Sequence, residues 1–87
     1  MKFKKKPVEI DAWLISDLLE ADKLPEDIKA AVGLNILRIS HEFKSVRVFT
    51  LEGVMMGDST DWLIKGVNGE FYPCKPDIFA ATYEVVV

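Results

Sequence analysis

The chain has 87 residues, of which 49% are hydrophobic and 29% charged, which excludes a disordered or fibrous protein and predicts one globular domain over residues 1–87. The net charge of -3 disfavours binding to duplex nucleic acid. One cysteine and one histidine exclude an intramolecular disulfide and leave too few ligands for zinc, so we expect neither a metal nor a cofactor.

The first residues are strongly basic, with lysine at positions 2, 4, 5 and 6. They predict a solubilised strand at a sheet edge, and phosphate binding by this strand is the less favoured alternative. Pro7 and the acids after it do not fit a signal peptide, and no apolar run reaches the roughly 20 residues of a membrane span. We therefore expect a cytoplasmic protein without a membrane partner.

Alternating apolar and polar residues predict a half-buried strand over residues 8–15, with Trp13 on the side of Glu9 and Asp11. Because it shares that side with acids, we expect Trp13 to line a pocket or a subunit contact. Ser16 or Asp17 can accept bonds from the free amides of a first helical turn, which predicts a short helix up to residue 22.

A second helix is predicted to begin at Pro25, which suits the first helical position, and to end at Gly33. Ile28, Ala31 and Val32 follow the spacing i, i+3, i+4. They form a narrow apolar stripe that can lie across a sheet but cannot support a helical bundle.

The middle of the chain returns to strand patterns, predicted over residues 36–39, 45–51 and 54–56. Glu52-Gly53 is predicted to join the last two strands in a tight turn. Residues 82–87 are rich in β-branched side chains and predict a final strand that pairs with the N-terminal one.

Asn68-Gly69 predicts a hairpin with a two-residue type I′ turn, which needs positive φ at both positions. The resulting register opposes Lys65 to Tyr72, and it sets the ring of Phe71 over the bare backbone of Gly66. The core face would carry Trp62, Ile64, Gly66, Phe71 and Pro73. The second face would carry Leu63, Lys65, Val67, Glu70, Tyr72 and Cys74.

The second hairpin face allows two interpretations. It is either a water-exposed surface with a Lys65–Glu70 pair, which is favoured, or a concave site with a few placed polar groups. Asp77 is predicted to cap a short helix over residues 78–81, with Ile78 and Phe79 turned inward. Together the elements predict an α+β fold: a bent antiparallel sheet or partly closed small barrel, a helical segment across it and a short C-terminal helix.

Catalysis is not favoured by the residues present. His41 lies in a polar stretch typical of a surface loop, and Cys74 is interpreted as a small buried hydrophobe, although the neighbouring Lys75 could activate it. A phosphodiesterase that uses Asp58, Asp61 or His41 is the least favoured alternative.

Two blocks of sequence carry a resemblance. "MKFKKKPVEIDAW" at the start, and "TLEG" followed by "DWLIKGVNGEFYPCKPDIFAATYE", resemble a widespread family of small phage and prophage proteins. In that family a proline-glycine-aspartate turn usually precedes the tryptophan, where this chain has "MGDSTD". The resemblance implies a phage-encoded protein that acts in the cytoplasm of the bacterial host.

Small phage proteins of this kind often counter host defence, and some do so by sequestering cyclic nucleotide immune signals. We expect the same function here because of the class of protein that the chain resembles, and not because of a motif. The expected protein is a non-catalytic homo-oligomer that binds an anionic, nucleotide-like ligand through aromatic side chains and cations. The expected ligand-binding residues are Trp13, Lys65, Tyr72, Lys75, Lys4 and Lys6. The alternative is an interaction module that docks on a host or phage protein without a small ligand.

Overall fold

The computed structural model describes residues 1–4 and 7–86. Its elements are β1 (Asp11–Leu14), α1 (Ile15–Glu20), α2 (Glu26–Gly33), β2 (Leu37–Ser40), β3 (Ser45–Thr50), β4 (Gly53–Asp58), β5 (Trp62–Lys65), β6 (Phe71–Cys74) and α3 (Pro76–Thr82). The strands form two antiparallel sheets with the orders β1-β5-β6 and β2-β3-β4. This confirms the α+β class; the strands are divided between two sheets, and neither sheet closes into a barrel.

One hydrophobic cluster joins both sheets to the first two helices. Its buried members are Ile15, Leu18, Ile28, Ala31, Leu37, Val46, Val48, Leu63 and Phe71. The predicted stripe on α2 is confirmed, since Ile28 and Ala31 are buried and α2 packs on β2. Burying one such aliphatic side chain contributes about 1.5–3 kcal/mol, so this stripe fixes the helical segment on the sheet.

Helix α1 begins without the predicted side-chain cap. It starts at Ile15, directly after β1, and neither Ser16 nor Asp17 caps it. The amides of Ile15 and Ser16 instead donate to the backbone carbonyls of Asp61 (3.0 Å) and Ser59 (3.2 Å). Because a tertiary contact satisfies these first-turn amides, no capping side chain is needed.

The two chain ends do not pair as predicted. β1 is shorter than expected and pairs with β5, and α3 continues to Thr82, with no strand over residues 83–86. The rings of Phe79 and Tyr83 contact each other at the end of α3, with centroids 5.3 Å apart and an interplanar angle of 36°, so tertiary contacts are formed here in place of the strand that the local β propensity predicts. Residues 1–4 form no strand either, and Lys5, Lys6 and Val87 lie outside the described residues.

The β5–β6 hairpin is present, but its register differs from the prediction by one residue. Lys65 lies opposite Phe71, and Ile64 lies opposite Tyr72. The loop has three residues, closed by a bond from the Gly66 amide to the Glu70 carbonyl at 2.7 Å. The φ of Gly69 is +80°, whereas Asn68 does not have a positive φ, so the turn is not type I′. A type I turn followed by a left-handed glycine needs this third residue.

The extra loop residue exchanges the two faces of β6. The face toward the core carries Trp13, Leu63, Lys65, Phe71 and Pro73. The opposite face carries Trp62, Ile64, Tyr72 and Cys74. The predicted common face for Lys65 and Tyr72 is therefore wrong. The space over Gly66 is filled by the Glu70 side chain rather than by Phe71, and the Glu70 carboxylate accepts a bond from the Asn68 amide.

Helix α3 covers the face of this hairpin that points away from the core, the one with Trp62 and Tyr72. The ring of Phe79 stacks on Trp62 with centroids 4.3 Å apart. Asp77 lies in the first turn but makes no capping bond, and Ile78 is 55% exposed, so the predicted cap and the inward Ile78 are wrong. No helix in the described ranges is long and apolar enough to cross a membrane.

Candidate ligand-binding site

Lys65 and Trp13 lie at the rim of the core. The Lys65 ammonium is 3.4 Å from the Asp27 carboxylate on α2, so the favoured Lys65–Glu70 pair is replaced by a contact with the helix. The Trp13 ring is 6.4 Å from that of Phe71 and packs against the hydrophobic cluster. The side of β1 that carries Trp13 faces the core, so Trp13 packs against the hydrophobic cluster, and its expected role in a pocket or a subunit contact stays a prediction.

Tyr72 and Cys74 lie under α3. The hydroxyls of Tyr72 and Tyr83 are 3.2 Å apart, and burial together with this hydrogen bond raises the pKa of Tyr72 to about 12. Burial, and then the nearby carboxylates of Asp61 and Asp77, raise the pKa of the Cys74 thiol. A raised pKa keeps the thiol protonated, which fits a small hydrophobe and not an activated nucleophile.

The remaining predicted residues are separated from one another. Lys4 is exposed and belongs to no strand, and Lys6 lies outside the described residues. Lys75, at the start of α3, lines a cleft. The structure therefore does not bring the predicted ligand-binding residues together, and of the described members of that set Lys75 alone lines this cleft.

Lys75 is held by a buried carboxylate. Asp61 is only 1% exposed, and its Oδ2 accepts bonds from the Lys75 ammonium at 3.1 Å and from the Asp58 amide at 3.0 Å. The bond to Asp61 raises the pKa of Lys75, so Lys75 stays cationic. The hydroxyl of Thr60 donates to Asp58, and this bond lowers the pKa of the Asp58 carboxyl.

The phosphodiesterase alternative relied on these same acids. Asp58 and Asp61 hold the turn before β5 through the bonds just described. In the described ranges they belong to no group of three or more residues able to hold a metal ion. Their geometry is that of a structural turn.

The cleft beside Lys75 lies between the β2–β3 turn, the strands β3 and β4, and the start of α3. It has a volume of about 510 Å³ and is lined by Phe43, Ser45, Arg47, Met56, Asp58 and Lys75. Phe43 is 70% exposed at its mouth. The cleft thus combines an aromatic wall, two cations and one acid.

The cleft opens onto the solvent side of the β2-β3-β4 sheet. We call this side the outer face and define it by Arg38, Arg47, Phe49, Val54 and Met56, all of which are exposed. Strand pairing places them on one side, while Leu37, Val46 and Val48 point into the core.

Arg38 and Arg47 lie directly opposite each other on β2 and β3. They are the only two arginines in the chain. The Arg38 guanidinium lies 5.7 Å from the centroid of the Phe49 ring. Within the described ranges neither arginine forms a salt bridge with a carboxylate. Like charges directly opposite each other in a sheet are destabilising, so this pair is an unusual feature of the surface that the structure describes.

These residues could have been found from sequence. In "SVRVFT" the apolar valines alternate with Arg47 and Phe49, which predicts both side chains on the solvent side of a strand. The pairing of Arg47 with Arg38 was not predicted, because it depends on the length of the turn between β2 and β3. That turn places Lys44 at a φ of +50°, a conformation that a lysine seldom adopts.

Comparisons with models of known protein families, with curated proteins and with solved structures gave no match. The resemblance to phage proteins therefore stays a prediction.

Proposed function

We propose that the protein binds a small anionic, nucleotide-like ligand, without catalysis, on the outer face and in the adjoining cleft. The observation that supports this most directly is the cross-strand pair of Arg38 and Arg47. The proposal keeps the expected ligand class and retains Lys75 from the expected site. It replaces the hairpin face, whose two sides are occupied by the core and by α3.

The arginine pair favours an anion for an energetic reason. Two exposed cations on opposite positions repel each other, at a cost of about 0.2–1 kcal/mol, and an anion between them removes that cost. A guanidinium presents a planar fork of donors that matches the oxygens of a phosphate or carboxylate. A ligand with a phosphate is therefore the best match for this pair.

The aromatic residues favour a ligand with a planar ring. Phe43 stands at the mouth of the cleft, and Phe49 lies under Arg38, so rings occur on both sides of Arg47 along β3. Stacking of a base on an aromatic side chain contributes about 1–3 kcal/mol. The cleft, at about 510 Å³, lies within the range of small-molecule sites.

The charges of the cleft assign different roles to its cations. Lys75 is already paired with Asp61 at 3.1 Å, so it supplies a hydrogen-bond donor with little free charge. Asp58 is anionic and would repel a phosphate placed next to it. Arg47, whose charge is not compensated by a salt bridge in the described part of the chain, would therefore anchor the anion.

The absence of catalysis is part of the proposal. The Cys74 thiol has a raised pKa, and both aspartates near the cleft hold a turn. A phage protein that withholds a nucleotide immune signal in the cytoplasm of its bacterial host needs no reacting group. That cellular setting rests on the sequence resemblance alone.

Calorimetry tests the proposal with a panel of mononucleotides, cyclic mononucleotides and cyclic dinucleotides. We expect measurable binding of at least one, and a loss of about tenfold or more in affinity for Arg47→Gln, the scale of one charged hydrogen bond. Lys29→Gln, an exposed cation on α2, is the control and should bind normally. No heat across the panel would refute the ligand class.

Recovery of the ligand separates binding from turnover. We expect the bound nucleotide to be released intact when the complex is denatured after long incubation. A hydrolysed product that forms with the wild type and not with Asp58→Asn would instead support the phosphodiesterase alternative.

A further inference from the structure

β4 is an edge strand whose free side borders the groove between β4 and β6. It pairs with β3 on one side only, and Val54 and Met56 are 58% and 59% exposed. Natural edge strands are usually protected by lysine, proline or a bulge. The segment Gly53–Gly57, "GVMMG", carries none of these and no charge. We propose that two copies of the chain associate through this edge, strand β4 against the partner's β4 in antiparallel orientation.

The hydrogen-bonding groups of the free edge can be assigned. β3 and β4 are joined by a two-residue loop, so Thr50 and Gly53 form a hydrogen-bonded pair and such pairs recur at every second position. Met55 and Gly57 therefore bond to β3. Val54 and Met56 point their amides and carbonyls outward. In agreement, the amide of Phe49, which lies opposite Val54, donates to the carbonyl of Ile36, on the side of β3 that faces away from β4.

This assignment selects one register. Val54 pairs with the partner's Met56, and Met56 with the partner's Val54, which satisfies the amides and carbonyls of both outward residues. Met55 then meets the partner's Met55 on a twofold axis. Within Gly53–Gly57 no charged residue opposes another. At each end of the register Glu52 lies opposite the partner's Asp58, so the acids limit the favourable pairing to these five central residues.

The C-terminal tail of the chain is an alternative occupant of the free edge of β4, but it fits less well. Val85 and Val86 are exposed and β-branched, and the tail could add to a sheet edge. The groove between β4 and β6 is, however, lined by Glu52 and Glu70, which would repel Glu84. Asp58 at the end of the partner's β4 is repelled in the same way, but the five central residues of that strand are uncharged, and its outward amides and carbonyls pair with those of Val54 and Met56. This hydrogen-bond match favours the partner's β4 over the tail.

The association goes beyond the proposed ligand and does not depend on it. A twofold axis perpendicular to the joined sheets forms a six-stranded sheet. The two outer faces then lie on the same side, each with its own arginine pair.

Light scattering on the full chain tests the interface without any ligand. We expect the wild type to have twice the mass of one chain, and Val54→Pro to have the mass of one. Proline at this position removes only an outward amide and leaves the bonds to β3 intact. Val54→Thr keeps the amide and a β-branched side chain and should remain a dimer. Circular dichroism checks that each variant is folded.

A cysteine crosslink tests the register independently of stability. In a Cys74→Ser background, Met55→Cys places two thiols on the axis, at a non-hydrogen-bonded pair whose Cα atoms lie about 4.5 Å apart, within the range of a disulfide. We expect rapid formation of a covalent dimer, and none for the control Val67→Cys at the tip of the other hairpin.

Three results of these two experiments would overturn the proposal. They are a wild type with the mass of one chain, a folded Val54→Pro variant that stays dimeric, and equal crosslinking at positions 55 and 67. A dimer lost only on deletion of residues 84–87 would assign the contact to the tail and equally refute pairing through β4.

Discussion

The ammonium of Lys75 lies 3.1 Å from the buried carboxylate of Asp61, and this contact joins the start of α3 to the turn before β5. The backbone carbonyl of Asp61 also accepts the first amide of α1, from Ile15. One residue therefore connects both sheets and two helices. The cleft beside Lys75 depends on this connection.

We expect Asp61→Asn to destabilise the fold by about 1–3 kcal/mol, the usual cost of a buried group left without its partner. Asparagine can keep one oxygen at the position of Oδ2 for both the Asp58 amide and Lys75, but it removes the negative charge opposite Lys75 and places an NH₂ group at the buried Oδ1 position, where no hydrogen-bond partner is available among the described residues. Urea unfolding measures the change. Asp77→Asn, an exposed acid on α3, is the control and should stay within about 0.5 kcal/mol of the wild type.

Gly57 marks the closest approach of β4 to the rest of the core. A Cβ built there would lie 2.6 Å from Ile15 Cδ1 and 2.9 Å from Pro73 Cβ. Gly57→Ala should therefore cost about 1–3 kcal/mol through overpacking. At Gly33 no atom lies within 4 Å of the added carbon, so Gly33→Ala should be neutral or stabilising by up to about 1 kcal/mol. Equal thermal shifts for the two variants would contradict this packing.

The stability should fall at high pH because of Tyr72. Its pKa is raised from 10.0 to about 12 in the fold, so the folded state favours the neutral phenol. This contribution is complete below pH 10, the unfolded value, and is lost as the pH rises through 12. Tyr72→Phe should lose less stability over that interval, measured by thermal unfolding at a series of pH values. An identical decline in both proteins would exclude Tyr72 as the titrating group.

The facing arginines should be measurably coupled without ligand. In a double-mutant cycle with Arg38→Gln and Arg47→Gln, we expect an unfavourable coupling of about 0.2–1 kcal/mol, because each substitution relieves repulsion. Added salt should reduce the coupling, since both side chains are exposed. A coupling of zero at low salt would show that the two charges do not face each other in solution.

Local patterns were enough to predict most elements of the fold. The stripe on α2 and the alternation in β3 are present, because each depends on residues close together in sequence. A two-residue turn joins β3 to β4 as expected, but it consists of Leu51 and Glu52, one residue earlier than predicted, and Gly53 already pairs with Thr50. The cap of α1 was not predictable in this way. Its amides are satisfied by carbonyls of the turn before β5, more than forty positions along the chain, so no side chain near α1 carries that information.

The candidate site was less predictable than the fold. Lys65 and Tyr72 were placed together on the assumption of a two-residue loop, which the single positive φ at Gly69 contradicts. Arg38 and Arg47 belong to strands that were predicted, yet their meeting depends on a cross-strand register that composition does not determine. The position of a site on a sheet surface depends on which residues lie opposite each other in neighbouring strands. An error of one residue in the predicted register therefore moves the predicted site.

The three-residue loop of the β5–β6 hairpin has a consequence for the history of the chain. Residues that lie opposite each other in a sheet share a side, so the loop keeps Phe71 in the core as long as Phe71 stays opposite Lys65. A turn that slides β6 by one residue against β5 would put Tyr72 in the place of Phe71. A loop of another length that keeps this pairing would not. Related chains with this fold are therefore free to vary the length of the loop, and the alignment of the two strands on either side of it is what inheritance must preserve.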